Sequence, residues 1–86
     1  MGSARRPQPE RLAPKLREIR LGLGLSQQKM LERLDYRQSP LYVGHISGYE
    51  TGKREPPLPV LLRYARVARV PLEVLVDDQA ELSFSA

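Results

Sequence analysis

The side chains of this 86-residue chain that have the chemistry to bind or react are mostly cations and amides, and they lack catalytic partners. Its one histidine, His45, has neither the additional ligands that a metal site needs nor the nucleophile or paired acid that a catalytic base needs. Gly22 and Gly24 match no glycine-rich phosphate loop, which would follow a strand, and we assign them to a turn. We therefore expect no enzyme activity, no cofactor and no metal site.

Positive charge is the clearest chemical bias of the sequence. All 14 Lys and Arg residues lie within residues 1–69, whereas the last 17 residues carry charge only on four acids. A basic body suggests a polyanionic partner, and we expect the acidic end to face away from it. Solvated arginines on an ordinary soluble protein would give the same composition. Lys29 and Arg33, four residues apart on one predicted helix, are the better candidates for phosphate contacts.

The length favours one small domain, of a size at which a partner subunit adds stability. The chain has no cysteine, no apolar run of membrane-spanning length and no signal-peptide pattern, so we expect a cytoplasmic protein. Composition divides the sequence into a flexible arm at 1–9, a folded domain at 10–76 and an acidic tail at 77–86. Arg5 and Arg6 in the arm would either reach a DNA minor groove or belong to a disordered tail.

Apolar spacing predicts the helices that must position these residues. An apolar side chain recurs every three or four positions from Leu12 to Leu23, and Pro14 fits only the first turn of a helix that begins near Leu12. Beyond the glycine turn, Ser26 is a good N-cap for a second helix over 27–34.

Two later helices follow a Pro-rich connector. One covers 58–67 and ends near Arg69, and the other covers 72–76 and is opened by Pro71. The residues expected to face inward on the longer of these helices are Leu58, Leu61, Leu62 and Ala65.

A third helix lies between the early and late pairs, and its start is open to two interpretations. Ile46 and Tyr49 would share its inward face, and Gly52 supplies a residue that tolerates positive φ just past its end. The Ser-Pro pair at 39–40 is a good cap and first position, which would begin the helix at residue 40. Alternatively, the loop persists to Tyr42. The connection exceeds the three or four residues of a tight turn between helices by about five residues.

These pieces, in this order, resemble the phage repressor and Cro-type (XRE-like) helix-turn-helix domains. The resemblance rests on LREIRLGLGLSQQKMLERL, HISGYETGKREPP and LLRYARVARVPLEVLV, and it covers residues 12–76. It implies an all-α fold, a compact five-helix repressor-like bundle containing a helix-turn-helix with an enlarged turn. It also implies that the helix at about 40–51 is a recognition helix in the DNA major groove, while the first helix of the motif crosses the sugar-phosphate backbone.

The resemblance assigns roles to individual residues. Gln27 matches a glutamine that faces phosphate at a helix N-terminus, and the segment after the recognition helix also touches phosphate. The phosphate contacts implied in this way are Gln27, Thr51, Lys53 and Arg54. We add Gln28 and Lys29, which lie beside Gln27 on the same helix. Glu50 matches an acid that pairs inside the fold with an arginine of the first helix, here Arg20.

The base-reading positions depart from the family pattern of Gln, Arg, Ser or Thr. They map onto Tyr42, Val43, Gly44, Ser47 and Gly48, with His45 beside them. The two glycines offer no side chain, and each costs about 1 kcal/mol of helix propensity relative to alanine. We therefore expect the helix backbone to approach another surface closely there. His45 would be either a polar DNA contact or ordinary surface.

Several other side chains keep two interpretations. In the enlarged turn, 36–40, we infer that Arg37, Gln38, Ser39 and the adjoining Tyr42 take over part of the DNA contact, whereas a solvated loop is the alternative. Tyr64 would be partly buried on its helix or at a dimer seam. Arg63, Arg66 and Arg69 would form a solvated helix face or contact DNA or a partner.

The expected function is that of a sequence-specific, double-stranded-DNA-binding transcriptional regulator that acts as a homodimer. One alternative is the antitoxin of a toxin–antitoxin pair. Another is a protein-interaction module that has kept the fold without base readout, as the two glycines in the third helix suggest. We expect residues 77–86 to form a frayed tail or a short strand paired across the dimer.

Overall fold

A computed structural model describes residues 8–83; residues 1–7, with Arg5 and Arg6 of the predicted arm, and residues 84–86 lie outside this range. Within the described range the fold is all-α, as predicted, and contains no strand. Its helices are α1 (Leu12–Gly22), α2 (Gln27–Leu34), α3 (Val43–Thr51), α4 (Leu58–Ala68) and α5 (Leu72–Val76). No helix among these residues is long and apolar enough to cross a membrane.

Local signals fix the ends of α2 as predicted. The Ser26 hydroxyl accepts a hydrogen bond from the Lys29 backbone N–H at 3.0 Å and so caps the N-terminus. The other end closes on Asp35, which adopts the left-handed conformation with φ of 50°. Gly24, with φ of 73°, makes the turn between α1 and α2.

The apolar stripes of α1 to α4, with Leu75 of α5, meet in one core. Tyr49 is 3% exposed in this core, which confirms its predicted packing role. The inward face of α4 is partly wrong in the prediction, because Leu58 and Leu62 lie on the surface. The buried positions form a continuous stripe on the adjacent side of the helix, and they are Val60, Leu61, Tyr64, Ala65 and Ala68.

Tyr64 is fully buried within the subunit, which corrects its expected partial burial on the helix or at a dimer seam. Its hydroxyl has no hydrogen-bond partner among the described residues. Burial raises the pKa of Tyr64 well above its ordinary value because the phenolate would lose its hydration. The hydroxyl therefore stays neutral, and it is a polar group that the core accommodates at a cost.

The described part of the C-terminal segment, residues 77–83, packs back onto α1 and is neither a frayed tail nor a strand. Asp78 accepts hydrogen bonds from the backbone N–H groups of Glu10 and Arg11, each at 3.0 Å, and Leu82 packs against the core. Arg11 also donates to the Asp78 carbonyl at 2.8 Å. The two backbone hydrogen bonds lower the pKa of the Asp78 carboxyl because they favour its charged form.

Candidate nucleic-acid interface

Helix α3 lies at the surface with one face open to solvent. Ile46, Tyr49 and Glu50 are buried, and at about 100° per residue the opposite side of the helix carries Gly44, Ser47, Gly48 and Thr51. Val43, the first residue of the helix, lies between the two sides and is 41% exposed. We call the set of Val43, Gly44, Ser47, Gly48 and Thr51 the outer face of α3. None of them is acidic, so no negative side chain of α3 itself would oppose a polyanion.

The position at which α3 begins decides between the two predicted starts, residue 40 and the end of a loop that persists to Tyr42. The helix begins at Val43 rather than at residue 40, and Tyr42 is its N-cap. His45 Nδ1 accepts the Tyr42 backbone N–H at 2.9 Å, and the two rings stack with centroids 5.7 Å apart. Leu41 packs against the core, and the backbone of Tyr42 that follows it is extended, with φ of −120° and ψ of 162°. The Ser-Pro pair at 39–40 therefore remains in the loop.

The two glycines of α3 have different surroundings. A Cβ at Gly48 would lie 2.8 Å from Cδ of Arg54, whose side chain crosses the helix at that point. The close approach expected for this glycine is thus made within the chain. A Cβ at Gly44 would meet nothing within 4 Å, so the backbone there is bare and open to an outside partner.

Glu50 ties α1, α2 and α3 together below the outer face. Arg20 Nε and Nη2 donate to the two Glu50 carboxylate oxygens at 2.7 and 3.0 Å, which confirms the predicted ion pair. The hydrogen bond to Glu50 raises the pKa of Arg20. The Gln27 side-chain amide also donates to Glu50, at 3.3 Å. This network fixes how α3 sits on α2.

The comparison with known proteins agrees with this arrangement. A family model described as helix-turn-helix matches residues 16–75, which span α1 to α5. The chain belongs to the helix-turn-helix family. It is therefore a DNA-binding regulatory protein, in which α2 and α3 are the two helices of the motif. No match was found among curated proteins or among solved structures.

The first helix of the helix-turn-helix motif presents a partly neutralised N-terminus. Lys29 Nζ lies 3.6 Å from Glu32, and the Gln28 amide donates to the same carboxylate at 3.4 Å. The Gln27 amide points to Glu50 rather than to open solvent. Arg33 is exposed and has no ion-pair or hydrogen-bond partner among residues 8–83.

The segment after α3 contributes cations at the other end of the outer face. Lys53 and Arg54 are exposed, and neither forms an ion pair within the described chain. The Thr51 hydroxyl donates to the Ser47 carbonyl at 3.0 Å and lies near that of Gly48 at 3.3 Å, so it is turned back onto the helix.

The turn of the motif spans residues 35–42 and is enlarged, as predicted. Arg37 forms an ion pair with Asp35 at 2.8 Å, and both side chains are largely exposed. Gln38 and Ser39 are exposed, with no side-chain hydrogen bond among the described residues. These side chains are therefore available to a partner at one side of α3.

Two cations have structural roles that sequence reasoning missed. Arg63 was predicted to lie on a solvated or partner-binding face, but its Nε donates to the Leu34 carbonyl at 2.7 Å and caps the C-terminus of α2. Lys15 is buried, and its Nζ donates to the carbonyls of Val74 and Asp77 at 2.6 and 3.0 Å. Lys15 lies three residues after Leu12 on the apolar stripe of α1, which was the available signal. Arg63 had no such signal.

A metal site at this surface would require several ligating side chains close together. No group of three or more His, Asp or Glu side chains in residues 8–83 is arranged to hold a metal ion. The His45 ring uses Nδ1 for capping and lies between Tyr42 and Tyr49. What the surface can do is bind, through exposed cations, a bare helix backbone and two exposed side chains at its N-terminal end.

Proposed function

We propose that the protein binds specific sequences of double-stranded DNA as a homodimer, with α3 in the major groove, and thereby regulates transcription. The observation that carries this proposal is the outer face of α3, which is open to solvent, free of acidic residues and followed by the exposed cations Lys53 and Arg54, neither of which forms an ion pair among the described residues. Such a helix fits the width of a major groove, and the cations supply the sequence-independent part of the affinity.

Within this proposal the contacts divide by their chemistry. The phosphate contacts come from the N-terminus of α2 and from the segment after α3, through Gln27, Gln28, Lys29, Thr51, Lys53 and Arg54. The enlarged turn adds Arg37, Gln38 and Ser39, and the base-facing positions are Tyr42, Val43, Gly44, His45, Ser47 and Gly48. Since Gln27 uses its side chain inside the fold, we assign its contact to the backbone N–H groups at the N-terminus of α2. The Thr51 hydroxyl is turned back onto α3, so we assign the contact of Thr51 to shape.

The homodimer follows from the symmetry that such recognition uses. Two copies of α3 would enter successive major grooves about 34 Å apart, so the preferred DNA should contain two related half-sites one helical turn apart. Exposed Leu58 and Val76, which border one groove with Pro9 and Pro56, are apolar surface available for the second copy. Sedimentation of the protein–DNA complex measures the stoichiometry, and one chain per two-half-site duplex would contradict the dimer.

Salt dependence tests DNA binding itself. After unbiased selection of binding sites, we expect the affinity measured by fluorescence anisotropy to fall steeply with salt. Lys53→Ala should reduce the slope of log affinity against log salt by about one and leave the sequence preference unchanged, because a phosphate contact carries no base information.

A matched control removes a cation far from the outer face. Arg69 lies beyond the C-terminus of α4, about 16 Å along the helix from the connector that follows α3. Its φ of 59° suits glycine, so Arg69→Gly removes one charge without straining the backbone. We expect its salt slope to equal that of the wild-type protein. Binding that is absent, or equally indifferent to salt in all three proteins, would contradict the proposal and favour a protein-interaction module.

A further inference from the structure

The recognition surface has very few side chains with which to hydrogen-bond a base. Gly44 and Gly48 have none, and the Thr51 hydroxyl is turned back onto the helix. Nδ1 of the His45 ring already accepts a hydrogen bond from the Tyr42 backbone N–H. Among the members of the outer face, Ser47 alone keeps a hydroxyl without a described hydrogen bond. No side chain on the outer face of α3 can therefore make the paired hydrogen bonds to base edges that are the usual source of direct readout.

The N-terminal end of the same surface is apolar and exposed. Val43 is 41% exposed and Tyr42 is 63% exposed, although both adjoin a turn whose Leu41 packs against the core. Tyr42 is held in position by stacking on His45 with an interplanar angle of 22°. The chain thus presents a positioned aromatic ring and a branched aliphatic side chain at the first turn of α3.

Gly44 lets this apolar pair come close to a partner. Its neighbourhood is empty, so no side chain separates the backbone of the first turn from whatever lies against it. In a major groove, the apolar group on a base edge is the C5-methyl of thymine. Val43 and Tyr42 are exposed next to Gly44, where the helix can approach the DNA most closely. Their apolar groups can pack against the thymine methyl group but cannot hydrogen-bond a polar base edge.

Building on the proposed function, we infer that Val43, supported by Tyr42, selects DNA by contact with the C5-methyl groups of thymine. Selectivity then comes mainly from burial of methyl groups rather than from hydrogen bonds. The inference predicts that selected sites contain a thymine at a fixed position in each half-site, where α3 begins.

Replacing thymine with deoxyuridine tests the inference because it removes the methyl group and keeps every hydrogen-bonding atom. In a selected duplex, one thymine per half-site is replaced at a time and affinity is measured at constant salt. At the position read by Val43, we expect wild-type affinity to fall about fourfold per methyl group, the effect of exposing one buried CH₂-sized group. In Val43→Ala, the thymine and uracil duplexes should bind equally well.

Leu21→Ala is the control. Leu21 is also an apolar, exposed residue, at 50%, but it lies near the C-terminus of α1 and has no role in the proposed DNA or dimer contacts. We expect this variant to keep the full loss of affinity on uracil substitution. The ratio of the two affinities also cancels effects of the variant on dimer formation or on nonspecific binding.

The outcomes separate the inference from the function on which it rests. Salt-dependent, sequence-selective binding that ignores uracil substitution at every position overturns methyl recognition and leaves DNA binding intact. A uracil effect that persists unchanged in Val43→Ala overturns the assignment to Val43, since the effect then belongs to the DNA or to other residues. Absence of duplex binding in the salt experiment overturns the function and this inference together.

Discussion

At the residue scale, the pair of Arg20 and Glu50 decides whether α3 has a fixed position. The side chains are 12% and 3% exposed, and the carboxylate receives both guanidinium hydrogen bonds. Arg20 also donates to the Leu25 carbonyl at 2.9 Å, which adds the α1–α2 turn to the same network. A buried pair of this kind stabilises the fold only while both partners remain.

We expect Glu50→Ala to lower the free energy of unfolding by about 3 to 5 kcal/mol, because it leaves the Arg20 guanidinium buried without its counterion. Urea denaturation followed by circular dichroism measures the change. Arg11 and Glu81 form an exposed pair at 3.3 Å, with side chains 42% and 82% exposed. Glu81→Ala should therefore cost less than about 1 kcal/mol. Equal effects of the two variants would show that the buried pair has no special role.

At the element scale, α3 combines a weak helix with an open surface. It has no side-chain hydroxyl cap, and two of its nine residues are glycines. The Tyr42 backbone N–H is satisfied by an imidazole, which requires His45 Nδ1 to be unprotonated. The helix therefore depends on the core contacts of Ile46 and Tyr49 for its stability. Its two glycines weaken the helix but leave its outer face without bulky side chains.

Gly44→Ala tests this balance between stability and binding. Since a Cβ there meets nothing within 4 Å, we expect the variant to raise the free energy of unfolding by about 1 kcal/mol through helix propensity. Under the proposed function, the same methyl group stands between the helix and the duplex, so affinity for a selected site should fall.

Gly48→Ala is the matched variant within the same helix. Its added methyl group displaces the Arg54 side chain, so the gain in stability should be smaller than that of Gly44→Ala. Urea denaturation and fluorescence anisotropy give the two quantities for each variant. A Gly44→Ala protein that binds DNA as tightly as wild type would contradict a close approach at this position.

At the scale of the whole molecule, the two ends of the described chain hold each other. The Asp78 carboxylate caps the N-terminus of α1, and Lys15 of α1 caps the C-terminus of α5. These contacts join residues that are 59 to 68 positions apart in the sequence. The acidic segment is therefore part of the fold, and its charge lies against α1 rather than on the outer face of α3.

The lowered pKa of Asp78 makes this capping sensitive to pH. Because the pKa is lower in the folded state than its ordinary value of 3.8, the carboxylate stabilises the fold fully above that value. The contribution is lost as the pH falls through the lower, folded-state pKa. We expect the difference in Tm between wild type and Asp78→Asn to be constant at neutral pH and to shrink in this acid range.

Glu73→Gln is the control for the loss of one negative charge. Glu73 lies in the first turn of α5 and has no hydrogen-bond or ion-pair partner among residues 8–83. It should not reproduce the destabilisation of Asp78→Asn at neutral pH. A difference between wild type and Asp78→Asn that stays the same down to the lowest pH would contradict capping by the charged carboxylate.

The sequence by itself determined the helices, the Ser26 cap, the Gly52 end of α3 and the pairing of Arg20 with Glu50 through the family resemblance. Caps and apolar spacing act over a few residues, so they can be recognised without tertiary contacts. Only Leu61 and Ala65 of the predicted α4 stripe were correct, whereas Leu58 and Leu62 lie on the surface, because two neighbouring apolar stripes overlap on that helix.

Only the tertiary structure determined where α3 begins, which glycine of α3 has free space around it and which cations form hydrogen bonds within the fold. Leu41 anchors the end of the turn by packing against the core, and Arg54 fills the space beside Gly48. Arg63 reaches the end of α2 from 29 residues away. Each of these outcomes depends on contacts between residues that are distant in the sequence. The local spacing of residue types does not predict which distant residue makes such a contact.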